Sequence, residues 1–161
     1  MDRRLQIAAV FIVLLGGFLG LLLFGFDSDE KAINRRLDKL LELADVTGGE
    51  GKIQNLATAR RIADFFTPDC QLQILFNRAE INGSDELTAV VASLRARSGS
   101  LSFSVRERSL DIRSNGNSAE MTLRLGVKAS TGEGDERGEE RFIIDWVKVD
   151  DDWLIDRVTI P

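Results

Sequence analysis

Residues 141–155 read RFIIDWVKVDDDWLI, and residues 156–161 continue DRVTIP. Two apolar runs, Arg141 to Val149 and Trp153 to Ile160, flank three consecutive aspartates, the pattern of a β-hairpin closed by an acidic turn. In the first run Phe142, Ile144 and Trp146 share one face while Ile143, Val147 and Val149 share the other. In the second, Trp153 and Ile155 oppose Leu154, Val158 and Ile160. Strands that are apolar on both faces are covered on both faces. One face of this hairpin therefore meets a core, and the other calls for a second surface.

Working back from the hairpin, Ala119, Met121, Leu123, Leu125 and Val127 alternate with Glu120, Thr122, Arg124 and Lys128, a half-buried strand over 117–129. Asn115-Gly116 turns it onto a strand at 101–113. There Leu101, Phe103 and Val105 are odd-numbered, whereas Leu110 and Ile112 are even-numbered, so the facing reverses near Arg106 to Ser109. Such a reversal inside one strand implies a bulge and a sharp bend. Thr131 to Glu139 is polar and reads as a loop, and a shorter strand is expected at 71–76. Three helices precede or interrupt these strands. The first, at 29–46, is capped by Ser28, carries Asp29 and Glu30 in its first turn, and bears an apolar stripe of Ile33, Leu37, Leu40, Leu41 and Ala44. The second, at 54–66, is ended by Pro68. The third, at 84–97, follows the turn Asn82-Gly83 and carries Leu87, Val90, Val91 and Leu94. The expected fold class is α+β, with three N-terminal helices packed in a strongly bent antiparallel sheet that forms a cone.

Ahead of this 27–161 domain, after a short tail at 1–4, residues 5–26 read LQIAAVFIVLLGGFLGLLLFGF, without a charge. As a helix this stretch is about 33 Å long, matching a hydrocarbon core of roughly 30 Å. It exceeds a signal-peptide core, and its exit, Phe24-Gly25-Phe26-Asp27-Ser28, offers no small-x-small cleavage site, so it reads as an uncleaved anchor. Arg3 and Arg4 before the span, against Asp27, Asp29 and Glu30 after it, favour a cytoplasmic N-terminus and a domain outside, which in a bacterium is the periplasmic side of the inner membrane. Lys31, Arg35, Arg36 and Lys39 argue the other way. Gly16, Gly17 and Gly20 offer a small-residue surface for a second spanning helix.

The closing hairpin and the element order resemble the nuclear transport factor 2-like superfamily in its SnoaL-like form, over about residues 29–161. Members similarly place an aromatic strand, an acidic tight turn and a Trp followed by apolar residues near the C-terminus. Asp152 stands here where a Gly is frequent. The resemblance implies a cone that in some members holds an isomerase, dehydratase or hydrolase site built from a carboxylate base with Tyr, His or a second acid. This chain has no His and no Tyr, so that donor set cannot be carried over to it. Asp145 is the carboxylate best placed for desolvation, with a partnered outward position as the plainer reading. Cys70, the single cysteine, lacks a histidine to activate it and reads as a small buried residue. No catalytic residue, cofactor or metal is expected.

A formal charge of −5 argues against a nucleic-acid partner. The expectation is a single-pass membrane-anchored scaffold or accessory subunit of a membrane protein complex. It would dock other subunits, or a second copy as a homodimer, through Ile143, Val147, Val149, Leu154 and Val158. Resemblance supplies a precedent in inner-membrane components of type IV secretion systems, which join a short tail, one span and a domain of this fold. A membrane-tethered binder of a small apolar ligand is the alternative, and a carboxylate enzyme ranks third.

Overall fold

The computed structural model describes residues 28–131 and 134–161. The expected span at 5–26, with Gly16, Gly17 and Gly20, lies outside the described residues. Among the described residues, no helix is long and apolar enough to cross a membrane. Three helices, α1 (Asp29–Ala44), α2 (Lys52–Ala63) and α3 (Ser84–Arg97), accompany six strands. These are β1 (Phe66–Ile74), β2 (Ala79–Asn82), β3 (Ser100–Ile112), β4 (Ser118–Thr131), β5 (Gly134–Val149) and β6 (Asp152–Ile160). They form one sheet in the order β2-β1-β6-β5-β4-β3.

The domain is α+β, but the sheet is mixed rather than wholly antiparallel, because β1 runs parallel to β6. The first strand also starts earlier than expected. α2 stops at Ala63, and the chain is extended from Phe66 onward, in keeping with Pro68, which disfavours helical backbone at Thr67. Pro68 is tolerated inside β1 because the β1–β6 register shifts between Phe66 and Gln71, where no ladder bond is demanded of it. Asn82 closes the short edge strand β2, and Gly83, at φ 84°, is the N-cap of α3. Glu86 reaches back to accept the Asn82 amide at 2.8 Å.

The expected loop at 131–139 is instead strand from Gly134 onward, continuing the long β4–β5 hairpin. Its inner positions Glu136, Gly138 and Glu140 carry no apolar side chains, so the alternation that marks a strand is absent there. α1 begins as expected, with the Ser28 hydroxyl accepting the Lys31 amide at 3.4 Å. It ends at Ala44 because Asp45 leaves the helix and its carboxylate accepts the Phe103 amide at 3.0 Å.

The core lies between α1 and the inner face of the sheet. Ile33, Leu37 and Leu40 of α1 meet Met121, Leu123, Ile144, Trp146, Trp153 and Ile155, with Ile62 of α2 in the same cluster and Val91 of α3 against it. The bulge expected in β3 is present as a register shift between Val105 and Glu107. Arg106 is the extra residue, and its insertion keeps Leu101, Phe103 and Val105 on the same face as Leu110 and Ile112.

Candidate protein interface

Side chains fill the inner face from both sides. Ile33, Leu37, Met121, Leu123, Trp146, Trp153 and Ile155 are each at most 2% exposed. Trp146 is wholly buried, and its indole N–H has no acceptor among the described residues. Trp153 differs: its indole N–H donates to the Asp29 carboxylate at 3.0 Å, which also accepts Lys148 Nζ at 2.8 Å. Those hydrogen bonds, Lys148 first, hold the Asp29 carboxyl below the usual carboxylate range, and the same contact pushes the Lys148 ammonium up. The start of α1 is thereby latched to the ends of β5 and β6.

Two other polar contacts fix α1. Arg108 faces inward because of the β3 bulge; its guanidinium donates to the Asn34 amide oxygen at 3.0 Å and pairs with Asp38. The last turn of α1 contains no basic residue, and Arg95 from α3 substitutes for one. Arg95 is 4% exposed and donates to the carbonyl oxygens of Leu43, Ala44 and Asp45 at 2.8, 3.2 and 3.2 Å, while pairing with Glu50 at 2.8 Å. A cation at the negative end of a helix dipole, with the helix's free carbonyls as acceptors, stabilises that end. Spacing alone did not reveal this contact, because Arg95 and Asp45 lie far apart in sequence.

Of the residues expected at an interface, Ile143, Val147, Val149 and Leu154 occupy the outer face of β5 and β6. Val147 stands opposite Leu154, and Ile143 opposite Thr159. Val149 is exposed, and the other three are half-buried. Val158 is a correction to that set. The β5–β6 register shifts between Asp145 and Trp146, leaving Asp156 as an extra residue, so Val158 pairs with Ile144 and is buried in the core. Simple alternation from Trp153 and Ile155 puts Val158 outward; the bulge at Asp156 reverses it.

Asp145 lies on the outer face, opposite Arg157 on one side and Glu120 on the other. It lines a groove of about 220 Å³ beside Val147, together with Arg113, Asp156 and Arg157. This is the outward position of the plainer reading and is not inside the cone. Cys70 is fully buried; burial, aided by the Asp156 carboxylate, pushes its thiol up and so away from the reactive thiolate. Among the described residues, no three His, Cys, Asp or Glu side chains cluster as metal ligands.

Solved structures share this fold. A scytalone dehydratase-like protein of Novosphingobium aromaticivorans superposes with a TM-score of 0.68 at 15% identity, covering 82% of each chain. A nuclear transport factor 2-like protein with a cystatin-like fold, from the same organism, gives 0.63 at 13% identity and covers 99% of this chain and 90% of that one. The domain has the nuclear transport factor 2-like fold. A calcium/calmodulin dependent protein kinase II association domain-like protein of Xanthomonas campestris also gives 0.63, at 14% identity, over 83% of this chain and 87% of that one. No family pattern and no curated protein sequence matches the chain.

Proposed function

We propose that the chain is a single-pass, membrane-anchored scaffold or accessory subunit that docks other subunits, or a second copy of itself, on the outer face of β5 and β6. The observation that carries this reading is the contrast between the two faces of one hairpin. The inner face is closed over Trp146 and Trp153, while the outer face keeps Ile143, Val147, Val149 and Leu154 clear of the three helices, all of which join the inner core. An apolar sheet surface left outside the core is the ordinary form of a protein-binding surface. The kinase association domain-like neighbour supports this use of the fold by its description alone.

The anchor reading rests on the uncharged stretch at 5–26, with the N-terminus cytoplasmic and the domain periplasmic. The latch of Asp29 to Lys148 and Trp153 then brings the β5–β6 turn close to the bilayer. A second reading, a tethered binder of a small apolar ligand, draws on Trp146, whose buried N–H would satisfy a ligand acceptor. A carboxylate enzyme is supported only by neighbours such as the dehydratase-like protein.

The test uses the full chain in detergent and replaces outer-face residues with lysine. Ile143→Lys with Val147→Lys is expected to abolish co-purification of the partner or second copy while leaving the thermal midpoint within about 2 °C, since neither side chain belongs to the core cluster. Loss of folding in that variant would place the face inside the protein's own core and defeat the proposal.

A further inference from the structure

We propose that the outer face of the β3–β4–β5 end is a binding groove for a phosphoryl anion. This inference is independent of the scaffold reading and uses a different part of the sheet. Phe103 and Val127 point to the core, so their neighbours in the ladder point outward: Ser102 opposite Lys128, and Lys128 opposite Arg137. Two surface grooves of about 430 and 200 Å³ adjoin there, sharing Lys128 and Arg137 as walls. The larger is floored by Gly126, over which Arg106 lies; a Cβ at Gly126 would stand 2.9 Å from Arg106 Nε. The smaller is edged by Ser100, Ser102 and Ser130, with the carboxylates of Asp135 and Glu136 also in its wall, Asp135 on the same face as Arg137.

Charge supplies the second, separate observation. Like charges placed directly opposite each other on one face of an antiparallel pair destabilise it. This hairpin has two such pairs, Lys128 with Arg137 and Arg124 with Arg141, on either side of Gly126 and Glu139. Arg124 is relieved by Glu107 at 3.4 Å, and Arg106 by Glu139 at 3.6 Å. Lys128 and Arg137 have no ion-pair partner among the described residues, in a chain whose formal charge is −5. A pair of opposed cations rimmed by serine hydroxyls matches a tetrahedral phosphoryl group, which offers more acceptor oxygens than a carboxylate and takes charge-assisted bonds from Lys and Arg together. The phosphoryl group can belong to a soluble ligand or to a lipid headgroup.

Calorimetric titration of the full chain in a non-ionic detergent at low salt tests this, with inorganic tripolyphosphate as the probe. Saturable binding is expected, weakening as salt is raised. Lys128→Gln with Arg137→Gln should weaken it about tenfold or more, whereas Lys52→Gln with Arg60→Gln, on the exposed side of α2, should leave it unchanged. Lys128→Glu, which pairs with Arg137, should abolish binding and raise the thermal midpoint, a combination that a purely structural role for Lys128 does not give. Glycerol 3-phosphate and dihexanoyl phosphatidate distinguish the sources: tighter binding of the phosphatidate supports a headgroup, and equal binding supports a soluble ligand. Absence of saturable tripolyphosphate binding, or equal binding by the Lys128→Gln, Arg137→Gln protein, would overturn the proposal.

Discussion

Asp150 and Asp151 occupy the two central positions of the β5–β6 turn with φ of 48° and 68°, left-handed values that cost an ordinary L-residue about 1 kcal/mol or more. The position that favours glycine is thus Asp151, and not Asp152, because the reversal takes two residues and the strand resumes at Asp152. Asp151→Gly is expected to stabilise the domain by about 0.5–1 kcal/mol, read as a higher denaturation midpoint at unchanged slope. A residue nearby makes a pH-dependent contribution. Asp29 is held in its charged form by Lys148 and Trp153, so its folded pKa is depressed. The stability it supplies is present above the ordinary carboxylate range, roughly pH 4, and is lost as pH falls through the lower folded value. Asp29→Asn should therefore lower the thermal midpoint at neutral pH, and the difference from the parent should shrink to nothing in strong acid. A constant difference across that range would show that the charge on Asp29 contributes nothing to stability. The Ser28 cap could be read directly from local sequence, whereas the Asp29 latch could not, since its partners are set by the return of β5 and β6 to the start of α1.

Bulges decide which side chains each element shows to the core. In β3 the sequence carries its own signal: the apolar residues change parity between Val105 and Leu110, and the inserted residue is Arg106. Deleting Arg106 should turn one half of β3 inside out and cost about 3 kcal/mol or more, while Arg106→Ala, which keeps the extra backbone unit, should cost less than about 1 kcal/mol. Chemical denaturation of the pair separates the two effects, and equal losses would mean that the side chain, and not the spacing, matters. β6 carries a similar change of parity, from Trp153 and Ile155 to Val158 and Ile160, but Leu154 is apolar on the opposite face and masks it, so simple alternation puts Val158 outward. The parallel β1–β6 pairing was equally hidden. Parity shows which face a residue occupies but does not show which strand lies alongside, and Pro68 obscured the start of β1. The charged stretch of β5 near Gly138 lacks alternation altogether, so only its pairing with β4 identifies it as strand.

At the scale of the whole molecule, one hairpin sets two surfaces with different chemistry. Its inner aromatic residues pack with α1 in the core. Its outer side passes from the apolar Ile143, Val147 and Leu154 near the α1 latch to the opposed cations Lys128 and Arg137, about 36 Å farther along β5 from Lys148. The helix-then-sheet order and the absence of histidine and tyrosine were legible in sequence and pointed to a cone without the usual donor set. The outer apolar face was legible too, as a strand with no polar side. Whether that face meets a protein is the central claim, and photo-crosslinking in the native membrane tests it most directly, with a benzoylphenylalanine placed at Val147 and, as a control, at the exposed Ser109 on the outer face of β3. The account predicts a discrete protein adduct from position 147, of the same subunit or another, and none from position 109. Equal labelling at both positions, or no protein adduct at 147, would contradict it.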